Sequence, residues 1–400
     1  MLLLHGAAIA AAKSVAISFE VLHPCSCTNS VAMKSARRRV LFLMPTLGGG
    51  GAERVVATLL QHLDCSRFEI HLALVEAVGV HLEEVPAHVS VHDLKARRVR
   101  FAFPALLRLA RRLRPHVVHS AFVELNIGSI LCRPFLPAGT KVVIREDISI
   151  SAQNLQLGRN LKVWSFLYHL YGKADKVICV SDYVLDDLAE NFGVPRSKMV
   201  RIYNPVDVSE ARVMADAIEN PYSGKGPHLV AAGRLSHQKG FDILLEAMAL
   251  VRTALPNCQL TILGEGELRP QLLAQRERLS LNDAVHLPGF QSNPFPYFKH
   301  ADLFVLPSRY EGFGLVVVEA LAVGTPVVAS SLPGPVREIL RDCPIARLVQ
   351  PSDPETLAQA VVSTLNSTNR KLQPDERLDA YLSRFDVKAR ARDYEEILDA

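Results

Sequence analysis

"RVLFLMPTLGGGGAERVVATLLQHLD", residues 39–64, decides the fold. Residues 39–46 are an apolar run without strict alternation, the pattern of a strand buried on both faces. Gly48 to Gly51 form a turn. From Ala52 to Asp64 the period changes: Val55, Val56, Leu59 and Leu60 recur at helical spacing and share one face. A buried strand, a glycine turn and an amphipathic helix make the first half of a βαβ unit, and such units build parallel sheets.

The unit recurs along the chain. "FEIHLALV" (68–75), "HVVHSAF" (116–122), "TKVVIRE" (140–146) and "KVICVS" (176–181) read as later strands. Pro205 to Gly226 reads as irregular, with the Pro, Ser and Gly of a connection. A second series follows: "HLVAAGR" (228–234), "CQLTILG" (258–264), "AVHLPG" (284–289), "DLFVLPS" (302–308) and "TPVVAS" (325–330). The chain is therefore expected to be α/β, with two doubly wound, parallel-sheet, Rossmann-like domains facing across a cleft. The first spans 39–205, a linker 206–227 and the second 228–385. Ligands of such sheets bind at the carboxyl ends of the strands, which places the site in the cleft.

The bulk numbers agree with two globular domains. The chain has 400 residues, 49% hydrophobic and 22% charged, enough apolar material for packed cores and far from a disordered composition. The net charge of +4 does not point to nucleic acid. It is unevenly placed: eight Lys and Arg and no acid fall in 95–114, so the remainder carries −4. Seven scattered cysteines without a CxxC pair read as reduced thiols in a cytosolic protein, neither a disulfide frame nor a zinc site. No apolar run has the length of a membrane span. Residues 1–38 lie ahead of the first strand. Their apolar start lacks a basic n-region and is interrupted by Lys13, unlike a signal peptide. Residues 1–32 are expected to be disordered or a mis-called extension, with Met33 as the start.

Three junctions carry candidate chemistry. The first is the glycine turn, where the backbone can approach a ligand and the helix N-terminus favours an anion. Its spacing is neither GxGxxG nor a P-loop. The second is "AAGRLSHQKGFDILLEA" (231–247), in which Arg234 and Lys239 bracket a strand-to-helix loop. Two cations at that place suit a diphosphate, although spacing alone equally allows two solvated charges. The third is "YEGFGLVVVEALAVGTPVVAS" (310–330). Glu311 precedes a glycine turn, Gly312-Phe313-Gly314, and Glu319 lies within an apolar helix. Amides from Phe313 to Val316 are free to bind oxygens. A buried acid needs hydrogen-bond donors. Sugar or ribose hydroxyls would satisfy both acids; so, for Glu319, would the backbone or a basic residue of the protein itself.

Taken together, "EGFGLVVVE", "GRLSHQKG", "LGEGELR" (263–269), "NPVD" (204–207), "HLPGF" (286–290) and "GGGGAERV" resemble the retaining glycosyltransferases of family 4, which have the GT-B fold. The resemblance runs from about residue 39 to about 398. It implies a nucleotide-sugar donor (UDP- or GDP-sugar, UDP first), transfer with retention, and no cofactor or metal. The chain has no Asp-x-Asp pair, in keeping with the last point. By resemblance, Glu311 contacts the donor sugar, Glu319 the ribose, and Arg234 and Lys239 the leaving diphosphate. The backbone at Gly312, Phe313, Gly314 and Leu315 orients sugar and phosphate, and Gly50 and Gly51 approach the phosphates from the first domain. His119 corresponds to a histidine facing the donor sugar; on its position alone it reads as structural. Residues 386–400 resemble the terminal helix that crosses back to the first domain. A front-face displacement and a Glu or Asp nucleophile both remain open. "SSLPGPVREIL" departs from the family's usual polar run but keeps Glu338, so the donor sugar stays open.

The acceptor side is read from the basic stretch. From Pro104 onward, Leu106, Leu107, Ala110 and Leu113 share a helical face, and Arg108, Arg111 and Arg112 lie outside it. This is either a solvated face or a surface for anionic lipid head groups. "VWSFLYHLYG", with Trp164, Phe166, Tyr168 and Tyr171, is either acceptor-side apolar contact or core. The glycine-turn form resembles bacterial enzymes that extend lipid-linked or surface glycans. The expected acceptor is a polyprenyl-diphosphate-linked glycan or another polysaccharide precursor, met by a cytoplasmic protein peripheral on the inner face of the membrane. The alternatives are a soluble transferase acting on a small sugar phosphate and a non-catalytic nucleotide-sugar-binding module. The glycine spacing disfavours a dinucleotide oxidoreductase.

Overall fold

A computed structural model describes residues 37–151, 161–224, 226–367 and 376–400. The expectation for the amino-terminal extension and the side chain of Trp164 lie outside the described residues. The first sheet has seven strands: β1 Arg38–Met44, β2 Phe68–Leu74, β3 Ser90–Asp93, β4 Val117–Ala121, β5 Lys141–Glu146, β6 Lys176–Cys179 and β7 Met199–Arg201. They run in the order β3-β2-β1-β4-β5-β6-β7, every pair parallel. The second sheet has six: β8 His228–Ala232, β9 Gln259–Leu263, β10 Val285–Gly289, β11 Leu303–Leu306, β12 Val327–Ser330 and β13 Ala346–Val349. Their order is β10-β9-β8-β11-β12-β13, again all parallel. Strands that read as unbroken apolar runs are those buried on both faces: Val40 to Met44 and Leu303 to Val305 are each at 0% exposure.

The strand order of each sheet reverses once, at β1/β4 and at β8/β11. Those reversals are the topological switch points where doubly wound sheets hold ligands. The glycine turn follows β1, the Arg234–Lys239 loop follows β8, and Glu311 follows β11. All three junctions singled out in the sequence therefore sit at switch points.

Three strands were not legible. β3 alternates Ser, Val, His and Asp with an exposed face, and β7 and β13 are three and four residues long. The segment read as irregular also contains a helix, Val208–Ala215. Asp207 starts it by accepting a hydrogen bond from the Glu210 amide at 2.8 Å, and Ala211 and Ala215 are buried. The turn-forming residues around it hid two turns of helix held by capping and packing.

The halves are tied together at the hinge. Val206 donates its amide to the Phe385 carbonyl at 2.8 Å. The closing helix Val387–Asp399 then lies against the first domain: Arg67 pairs with Glu395 at 2.7 Å, and Tyr394 is buried in the first domain's core. Glu338, in the second domain, accepts from the amides of Asp182 and Tyr183, both at 3.1 Å, and from the Tyr203 hydroxyl at 2.8 Å. A carboxylate at the start of the helix Asp182–Phe192 is favoured by that helix's dipole.

Candidate active site

In the second domain two loops brace one another. Lys239 ends a short 3-10 turn after β8, and its Nζ lies 2.7 and 2.9 Å from the two carboxylate oxygens of Glu311. The Ser308 hydroxyl donates to Glu311 at 2.6 Å. Arg309 crosses between the loops: its guanidinium bonds both oxygens of Asp242, at 2.8 and 2.6 Å, and the His237 carbonyl at 2.9 Å. Main-chain bonds add to the brace, Arg309 amide to Gln238 carbonyl at 2.8 Å. Burial works against ionisation of Asp242, but Arg309 holds its carboxyl below the ordinary range. Glu311 and Lys239 are therefore fixed by neighbours whose own positions are locked.

Beyond Glu311 the chain turns into the helix Leu315–Ala322. Gly314, at φ 81°, occupies the left-handed region that a side chain would strain. Gly312 has no room for a Cβ, which would stand 2.7 Å from the Asp147 carbonyl oxygen of the first domain. The loop carrying Glu311 is thus in contact with the loop that follows β5. Among the described residues, the amides of Phe313 and Gly314 meet no acceptor of the chain. Phe313 itself is buried against Tyr203 and Phe385 at the hinge. Glu319 is 5% exposed, as the apolar run around it demands, and its partner is Arg54 of the first domain at 3.0 Å.

The first domain supplies the glycine turn. Gly50 stands before the helix Gly51–His62, whose first turn holds Glu53 and Arg54. Gly49 faces Phe290 of "HLPGF": a Cβ on Gly49 would lie 3.8 Å from that ring. The turn therefore reaches the second domain. Arg234, exposed at the start of the loop after β8, pairs with no carboxylate among the described residues. Among those residues no group of three His, Cys, Asp or Glu is arranged to hold a metal ion.

The structure thus brings together Glu311, Lys239, Glu319, the Gly312–Leu315 turn and the glycine turn. It does not bring His119 to them. His119 is at 0% exposure, between Phe42 (ring centroids 4.8 Å) and Tyr394 (5.9 Å), with neither ring nitrogen hydrogen-bonded. Burial, and next the charge of Arg145, push its imidazole down to about 3, so it is neutral. The expectation that it faces the donor is corrected: strand alternation turns this residue under the closing helix. Tyr168 and Tyr171 are core, while Phe166 is 74% exposed. In the helix Phe103–Leu113, Arg108, Arg111 and Arg112 are exposed as expected; the buried apolar positions are Leu106, Leu109 and Ala110, with Leu109 in place of the expected Leu107.

Sequence reading passed over Arg54, Ser308, Arg309 and Asp242. Arg54 stood in the quoted motif directly after the glycine turn, and Ser308 and Arg309 lay three and two residues before Glu311. Their roles depend on which loops meet, which spacing does not carry.

Comparison with known proteins agrees with this geometry. The model of the family described as "Glycosyl transferases group 1" matches residues 215–381, and that of "Glycosyltransferase Family 4" matches 49–210. A protein of Campylobacter jejuni, N-acetylgalactosamine-N,N'-diacetylbacillosaminyl-diphospho-undecaprenol 4-alpha-N-acetylgalactosaminyltransferase, is 31% identical over 87% of this chain and 94% of its own length. The amylovoran biosynthesis glycosyltransferase AmsD of Erwinia amylovora is 24% identical over 73% of this chain and 80% of its own. Among solved structures, sucrose-phosphate synthase of Thermosynechococcus elongatus superposes with a TM-score of 0.75 at 18% identity, covering 90% of this chain and 98% of its own. HepE of Anabaena, solved in complex with UDP and glucose, gives 0.74 at 21%, covering 91% of this chain and all of its own. The chain belongs to the family 4 glycosyltransferases, and its two parallel-sheet domains have the GT-B fold.

Proposed function

We propose that this glycosyltransferase moves a sugar from a nucleotide-sugar, a UDP-sugar first, to a lipid-linked glycan or other surface polysaccharide precursor, with retention and without a metal ion. One observation carries the donor half: at one switch point Lys239 is locked onto Glu311 beside the amides of Phe313 and Gly314, which meet no acceptor among the described residues. Cation, carboxylate and free N–H groups are the partners that a diphosphate and a sugar hydroxyl require. In this reading Glu311 takes donor-sugar hydroxyls and Glu319 the ribose. Arg234 and Lys239 offset the charge that builds on the departing diphosphate, which is electrostatic work a metal performs elsewhere. The Gly50–Gly51 turn closes over the phosphates. His119 acts only through the core beneath them.

The acceptor half is supported by the Campylobacter relative, which is named for a diphospho-undecaprenol-linked substrate. Arg108, Arg111 and Arg112 present charge suited to an anionic membrane, with the protein peripheral on its cytoplasmic face. Among the described residues no helix is long and apolar enough to cross a membrane.

The test is a thermal-shift panel of UDP, GDP, ADP and their sugar conjugates in the absence of metal. A ligand that binds the folded state alone raises the melting temperature, by about 2.7 kcal/mol of stabilisation at a hundredfold excess over Kd. UDP and one UDP-sugar are expected to shift the protein. A panel in which no nucleotide does so would overturn the donor assignment.

A further inference from the structure

The pair that Arg54 makes across the cleft has no part in the chemistry above. Its Nη1 lies 3.0 Å from Glu319 Oε1, and the two side chains are 32% and 7% exposed. The guanidinium also rests over the Phe295 ring at 5.5 Å from its centroid. Glu319 is the acid assigned to the ribose, so one carboxylate has two claimants. We infer that Arg54 sets the affinity for the nucleotide by occupying Glu319 in the ligand-free protein, and that the ribose must displace it.

The inference rests on the ribose reading of Glu319. Its physical basis is an asymmetry between the partners. A carboxylate as buried as Glu319 is costly to leave without a hydrogen-bond donor, so one donor has to replace another. Arg54 is partly in solvent, at 32% exposure, and has other carboxylates within electrostatic reach, Glu84 and Glu210. It can leave; Glu319 cannot stand empty. The preceding residue repeats the pattern. A Cβ on Gly50 would stand 2.3 Å from Glu53 Oε2, so a carboxylate lies on the glycine turn where phosphate is expected. Glu53 and Arg54 together put a negative group at the phosphate position and a positive one at the ribose position.

The experiment measures Kd by calorimetry for UDP and for inorganic diphosphate, on the full chain and its variants. Arg54→Ala is expected to tighten UDP about two- to fivefold, the range for a partly exposed ion pair. Diphosphate, which has no ribose, should bind as before. Arg54→Lys, which keeps the charge but loses the planar fork, should fall between. Weaker or unchanged UDP binding in Arg54→Ala overturns the inference, as does an equal gain for diphosphate. A separate arm tests the reading beneath it. Glu319→Gln should lose UDP affinity while diphosphate is unaffected. If it binds UDP like the parent, the ribose assignment itself fails. If it loses UDP and Arg54→Ala gains nothing, only the role of Arg54 fails.

Discussion

Glu311 and Lys239 are the residues on which the proposed chemistry turns, and each depends on the other. Lys239 bonds both oxygens of Glu311, and Ser308 adds a third contact. Removing one partner of such a pair leaves the other charge poorly compensated. Lys239→Ala is therefore expected to lower turnover by at least about two orders of magnitude, the scale of one lost electrostatic contact to a developing charge. It should also weaken UDP, because in the proposed donor complex the cation faces the diphosphate in the ground state too. A variant that binds UDP as tightly as the parent in calorimetry would contradict the clamp. Both residues were legible, since they flank strand ends in recognisable motifs. Their direct pairing was not, because 72 residues separate them and only the adjacency of β8 and β11 makes them neighbours.

At the scale of elements, the helix Phe103–Leu113 separates its tasks by face. Leu106, Leu109 and Ala110 bury against the first sheet, and Pro104 stands in its first turn, where a missing N–H costs nothing. Arg108, Arg111 and Arg112 are left to solvent. Reversing all three to Glu should leave the melting temperature within a few degrees, since exposed charges contribute little to stability. It should release the protein from vesicles rich in anionic lipid, because each basic residue near such a surface is worth ~1 kcal/mol. Unchanged co-sedimentation would return the helix to a solvated face. Helical period and charge were both readable here. The swap of Leu107 for Leu109 was not, because a stripe in sequence leaves the helix free to roll against whichever neighbours the sheet provides.

For the whole molecule, pH acts through groups that the fold has removed from water. Glu146, at the end of β5, is 3% exposed and accepts from the Tyr171 hydroxyl at 2.8 Å. Burial, and to a lesser degree Asp147, push its carboxyl up to about 8 from an ordinary 4.5, while Tyr171 pulls the other way. The folded state then holds a proton that the unfolded state has released. Its contribution is complete below pH 4.5 and is lost as pH rises toward 8. His119 acts with the opposite sign: its contribution is complete above 6.5 and is lost as pH falls toward 3. Glu146→Gln keeps a neutral group of similar shape. Its melting temperature relative to the parent should therefore climb by several degrees between pH 5 and pH 8. A difference that stays flat over that range would mean Glu146 is charged in the folded protein.

The sequence by itself determined the strand–helix alternation, all three switch-point loops and the identity of the acids and cations. Those depend on local period and on residue chemistry within a few positions of one another. Tertiary structure decided what each of them touches. It put Arg54 on Glu319, Asp147 against Gly312 and Glu338 on the helix start at Asp182. It also took His119 out of the site, since the choice between the two faces of a strand is made by what covers each face. Here that cover is a helix that begins 268 residues later, whose Tyr394 lies against the imidazole.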